Sequence, residues 1–193
     1  MRAASPLRAA AAAAAVLAAL ALTACGDTLQ DKPVPHNELE KMVVSPFAVY
    51  WVGASFQAMQ LTDAGPDPSG AFTVQYGNCV QGGQGTCTPP LRIVTNPDNS
   101  FLPGGETPTA ATTLRGVPAK LTEAGRAVAI PTGPVVVDIY ASDATLAKAA
   151  ARAMVAINRP SNPGEPLPAP QPDTGFGSKP LPSQQPVGGK LPS

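Results

Sequence analysis

An α+β fold is predicted for this chain: a small antiparallel sheet of about five to six strands, one C-terminal helix packed on it, and a disordered proline-rich tail. Three observations predict it. Short apolar or alternating runs recur through the middle of the 193 residues, separated by glycine and proline turns. An alanine-rich stretch of helical period follows the last of them. With 24 prolines, 18 glycines and only 13% charged residues, the chain has apolar material for one modest core and little more.

The chain begins with Arg2 and Arg8, an apolar run over residues 9–22, and small residues before Cys25. This is the layout of a secretory signal peptide, and the run falls short of the roughly 20 residues a membrane-spanning helix needs. LTAC, residues 22–25, resembles a bacterial lipobox, the place where a lipoprotein signal peptidase cuts before a cysteine that carries a diacylglycerol. The resemblance implies that residues 1–24 are removed. It also implies that Cys25 is acylated and that the mature chain is held by membrane lipid on the extracytoplasmic face of the cell membrane. Several acyl chains, at about 0.8 kcal/mol per buried methylene, make such an anchor stable. An ordinary secretory leader with a chance cysteine near its cut site is the competing reading.

With Cys25 acylated, Cys79 and Cys87 remain as an even pair in an oxidising compartment, where a disulfide is the default. Seven residues separate them, among them three glycines that let the chain double back. A metal site would need two more ligands, and the single histidine, His36, lies far upstream, so no metal and no cofactor is expected.

Residues 25–45 are polar and proline-containing and read as a tether, with HNELEKM able to form a helical turn. A single folded domain is expected over residues 46–159. Its strands are PFAVYWVG (46–53), AFTVQY (71–76), LRIVT (91–95), TTLRGVPAKL (112–121), 126–130 and VVVDIY (135–140). Pro118 assigns the fourth of these to an edge or a bulge. The turns between them are short, which implies antiparallel pairing. A bridge between Cys79 and Cys87 would clamp the hairpin joining the second and third. Ser142 is the expected N-cap of a helix over residues 144–158, whose face of small residues packs on the sheet. Residues 160–193 hold ten prolines and no apolar period, and read as a disordered tail with polyproline II character. Within residues 46–158, YWVG, YGNC, CTPPL, RGVPA and VVVDIYA resemble uncharacterised lipoproteins of high-GC Gram-positive bacteria. That resemblance implies a single domain and brings no activity with it.

Formal charge is +0, and the mature chain carries eleven basic against thirteen acidic residues, which offers no field for nucleic acid. A lone histidine in the tether supplies no base for serine or cysteine nucleophiles, and no enzyme activity is expected. The GGQG of residues 82–85 lacks the lysine of a phosphate loop and reads as turn flexibility. Asp138 interrupts VVVDIY; strand alternation places it on the solvent face, paired with Arg115 or Arg126. Tyr50, Trp51 and Phe56 are the candidate ligand or partner surface, against the plainer reading that they are core. Two functions fit: a membrane-anchored binding or structural module of the cell envelope, engaging an envelope protein or cell-wall polymer, or a small carrier or sensor enclosing an apolar ligand such as a lipid.

Overall fold

A computed structural model describes residues 34–78, 80–81, 87–97 and 110–171. Cys25, Cys79, the expected signal peptide of residues 1–24, the GGQG stretch and the tail beyond residue 171 lie outside them, as does the side chain of Cys87.

The fold is α+β. Its centre is an eight-stranded antiparallel sheet in the order β2-β3-β4-β7-β11-β10-β9-β8. The strands are β2 (Ser55–Phe56), β3 (Met59–Pro66), β4 (Phe72–Tyr76), β7 (Leu91–Asn96), β8 (Ala110–Leu114), β9 (Val117–Thr122), β10 (Ala127–Thr132) and β11 (Val135–Ala141). Two four-stranded meanders, β2-β3-β4-β7 and β8-β9-β10-β11, therefore meet at their last strands. The seam runs from Val136↔Asn96 to Ala141↔Leu91. The described residues also form two short ribbons, β5 (Val80–Gln81) with β6 (Cys87–Thr88), and β1 (Tyr50–Trp51) with β12 (Val155–Ala156).

One face of the sheet carries the core. Val74, Ile93, Val137, Ile139, Val128 and Ile130 alternate along β4, β7, β11 and β10, and all are essentially unexposed. Helix α2 (Ala144–Ala153) lays Leu146, Ala147, Ala150 and Ala151 into the same cluster. Alanine brings the helix backbone close to the sheet, so the small-residue stripe serves close packing. Helix α1 (His36–Val43) closes the opposite end with Met42, 0% exposed, and packs on β3. Tyr76 ties β4 to the chain after β1: its hydroxyl donates to the Gly53 carbonyl at 2.9 Å and accepts from the Val52 N–H at 3.2 Å. Burial raises its pKa, so this bond donor stays protonated.

Several expectations are corrected. The folded part extends beyond residues 46–159 at both ends: α1 belongs to the core, and residues 160–171 of the expected disordered tail lie bonded along the domain. Leu167 is 8% exposed, and its N–H donates to the Arg115 carbonyl at 2.8 Å. The main sheet has eight strands rather than five or six. Strand β3 carries only two buried apolar side chains, Leu61 and Ala64, among polar residues, glycine and proline, so its sequence has no strand signature. Residues 112–121 are not one strand but the hairpin β8–β9, reversed at Arg115 (φ 49°) and Gly116 (φ 84°). Pro118 lies past the end of the β10 ladder, which stops at Ala129↔Lys120, so its missing N–H breaks nothing there.

Helix α2 ends at Ala153, five residues early. Met154 is buried and extended (ψ 142°), and the chain leaves the helix to pair with β1. Asn158 secures that exit, its amide donating to the Ser45 and Phe47 carbonyls at 3.1 and 2.7 Å while its oxygen accepts from the Val49 N–H. The N-cap is Asp143 rather than Ser142: Asp143 Oδ1 accepts from the Thr145 and Leu146 N–H groups at 2.9 Å each.

The β2–β3 hairpin turns through Gln57 (φ 47°) and Ala58 (φ 63°), neither a glycine. A left-handed alanine is strained by about 1 kcal/mol relative to glycine. Ala58→Gly is expected to stabilise the fold by about 0.5–1 kcal/mol, and chemical denaturation showing a loss of stability would refute this account of the turn.

Candidate functional site

The sheet face opposite α2 carries the polar alternates of the central strands. Arg92 on β7 stands opposite Tyr140 on β11, and its guanidinium carbon lies 4.5 Å from the ring centroid. The cation is held over the ring face, and Arg92 also hydrogen-bonds the Tyr140 side chain. Beside this pair is an open hollow of about 400 Å³, lined chiefly by Asp67, Ser69, Thr73, Arg92, Asn96 and Tyr140. Its rim is the turn between β3 and β4, which Asp67 builds by accepting from the N–H groups of Ser69 and Ala71 at 2.8 and 3.1 Å and from the Ser69 hydroxyl. Burial pushes the Tyr140 hydroxyl up to about 12, with the neighbouring Asp138 adding to the shift, so the phenol remains a donor.

Asp138 stands on the same face, opposite Val94 on β7 and Ala129 on β10. The expectation of a solvent-facing, paired carboxylate is overturned: Asp138 is 0% exposed and neither carboxylate oxygen has a hydrogen-bond partner among the described residues. Arg126 pairs with Glu123 at 3.5 Å, and Arg115 is bonded to backbone carbonyls elsewhere. Burial raises the Asp138 pKa to about 7, although the Arg92 charge pulls it down. Alternation correctly chose its face; it could not reveal that Val136, Ala127 and Ala129 on that face are buried as well.

A second depression, of about 310 Å³, lies where residues 160–171 cross the ends of the sheet, lined in part by Tyr50, Arg115, Thr132, Gly133, Arg159 and Leu167. Arg115 is its keystone. The guanidinium donates to the carbonyls of Met154 at 2.5 Å, Glu165 at 2.6 Å and Asn162 at 3.1 Å. Burial lowers its pKa, while Tyr50 and Glu165 act the other way. Glu165 in turn accepts from the amide and backbone N–H of Asn162.

The three aromatics singled out from the sequence do not share one exposed surface. Tyr50 is 4% exposed and belongs to the core, and Trp51 and Phe56 are half-buried against it. Phe47 packs edge-on against Phe72, ring centroids 5.7 Å apart. Cys25 and Cys79 fall outside the described residues, and of Cys87 only the backbone is described. It pairs with Gln81 in the ribbon that interrupts the β4–β7 hairpin. Sequence reasoning passed over Arg92 and Tyr140. Their signal was the polar alternate position of LRIVT and the last aromatic of VVVDIY, which become neighbours only once the β7–β11 register is known. Among the described residues no three histidine, cysteine, aspartate or glutamate side chains are grouped as a metal site.

Between the ordinary carboxylate value near 4 and about 7, the folded chain keeps on Asp138 a proton that the unfolded chain has released. Stability is therefore expected to fall as pH rises through that window and to level off above it. Asp138→Val should abolish this contribution and raise stability at pH 8 by about 2–3 kcal/mol. Urea titrations of both chains at pH 5 and pH 8 test this, and a valine variant weaker than the parent at pH 8 would overturn it.

The chain matches no protein-family model, no curated protein and no solved structure.

Proposed function

We propose that this protein is a lipid-anchored module of the cell envelope that binds cell-wall polysaccharide through the open sheet face around Arg92 and Tyr140. The observation that carries the binding reading is the stacked Arg92–Tyr140 pair beside a hollow edged with hydroxyl, amide and carboxylate groups. Sugars present apolar ring faces flanked by hydroxyls. An aromatic ring with a cation over it and short polar side chains around it complements both, and the hollow falls within the size range of ligand sites.

The anchor reading rests on the basic start, the apolar run and LTAC at residues 22–25. Only residues 26–33 separate Cys25 from the first described residue, a span of at most roughly 32 Å when fully extended. An acylated Cys25 would therefore keep the domain close to the lipid, where an extracytoplasmic polymer is within reach. An oxidised Cys79–Cys87 pair would staple the connection between β4 and β7, the two strands that form the floor of the hollow. The alanine face of α2, fully buried against the sheet, favours this reading over a carrier enclosing a lipid.

Two outcomes are expected. Cys25→Ala should move the protein from the membrane fraction to the soluble fraction of cells that express it; a variant that stays with the membrane refutes the anchor. The full chain should co-sediment with purified, protein-free cell walls, and Arg92→Ala should weaken retention about tenfold. Equal retention of the two chains would remove the proposed surface.

A further inference from the structure

Residues 166–171, PLPAPQ, lie along the domain as an extended peptide, with Leu167 the only buried side chain among them. They are held by features that any segment of the same pattern would satisfy. Pro166 packs against Gly116 in the β8–β9 turn, and Pro168 against Gly133 at the β10–β11 turn; a Cβ built on either glycine would lie 3.7 and 3.9 Å from the respective ring. Leu167 enters the core between them. Hydrogen bonds to the strap backbone add to this: Leu167 N–H to the Arg115 carbonyl, the Thr132 hydroxyl and Gly133 N–H to the Pro168 carbonyl, and Gln171 N–H to the Gly133 carbonyl. Among the described residues positions 167 and 171 donate from this segment, and these must not be proline.

The same pattern recurs fourteen residues later. PLPAPQP at residues 166–172 is matched by PLPSQQP at residues 180–186, identical at five of seven positions. The two proline positions, the leucine, and both donor positions, Leu181 and Gln185, are kept. We propose that the groove between the β8–β9 and β10–β11 turns is a docking site for P-L-P-x-x-Q segments, and that residues 180–185 of the same chain are its second occupant, exchanging with residues 166–171. The exchange is intrachain because the second copy hangs from the same chain, roughly twenty residues past the end of β12 at Ala156, and a tether of that order holds it at millimolar effective concentration. Polyproline segments suit such exchange, since little conformational entropy is lost on docking. One difference ranks the two. Glu165, beside Arg115, is replaced by Lys179, which sets a like charge against the guanidinium, so the first copy is the preferred occupant. Docking the second draws in roughly 40 Å of extended tail.

The Gly133 amide, which bonds the strap carbonyls of Pro168 and Ala169 at 3.3 and 3.2 Å, reports occupancy through hydrogen exchange. In the full chain in detergent, Leu167→Asp should leave Gly133 protected within a few-fold of the parent, Leu181→Asp should change nothing, and the double variant should exchange more than tenfold faster. A single Leu167→Asp change that loses as much protection as the double, or residual protection that depends on protein concentration, overturns the proposal. Where Leu167→Asp does not fold, Leu167→Ala carries the same comparison. On that background Lys179→Glu should raise Gly133 protection, and a fall or no change counts against the second copy.

Discussion

The pairing of β7 with β11 is the constraint on which the rest of this molecule depends. Each four-stranded meander is a local structure of hairpins, stabilised by neighbours close in sequence. The seam joins strands some forty residues apart and makes one sheet of two halves. Its register decides which side chains share a face. Ile93 and Ile139 are directed together beneath α2, while Arg92 and Tyr140 are directed together on the other side. A slip of one residue would exchange the two sets and place a cation in the core. The apolar alternation of both strands holds the register against that slip.

The same seam leaves one group in an unfavourable state. Asp138 takes the outer face as alternation requires, yet finds small or branched apolar neighbours and no donor. A buried carboxylate without a partner is tolerated only in its protonated form near neutral pH, which is the physical content of its raised pKa. Its field also acts on Tyr140 and is offset in part by Arg92, so the outer-face groups form one electrostatic unit.

At the far end of the sheet, the chain after α2 is organised by a single cation. Arg115 gathers three carbonyls from residues that would otherwise leave the domain. Carbonyls at the end of a helix and in an extended strap have no ladder partners, and a guanidinium with five donors in a fixed fork satisfies several at once. The proline-rich composition of this segment is compatible with order for the same reason: proline lacks only the donor, and the bonds that hold residues 162–168 use mostly their carbonyls.

The amino-acid sequence by itself determined the α+β class, the positions of β4, β7, β10 and β11, the start of α2 and the turns on either side of β10, because these follow from local periodicity and turn chemistry. Tertiary structure alone decided the rest. β3 has too few apolar residues to be read locally and exists because the sheet gives it an edge to pair with, while the helical turn that HNELEKM allows becomes a core element because Met42 is buried by the sheet. α2 stops early because Tyr50 and Trp51 offer Val155 and Ala156 a partner. Residues 160–171 look disordered by composition and are ordered by Arg115 and by the two turn glycines. Arg92, Tyr140 and Asp138 became a site only through the register of strands distant in sequence, and no local pattern carries that information.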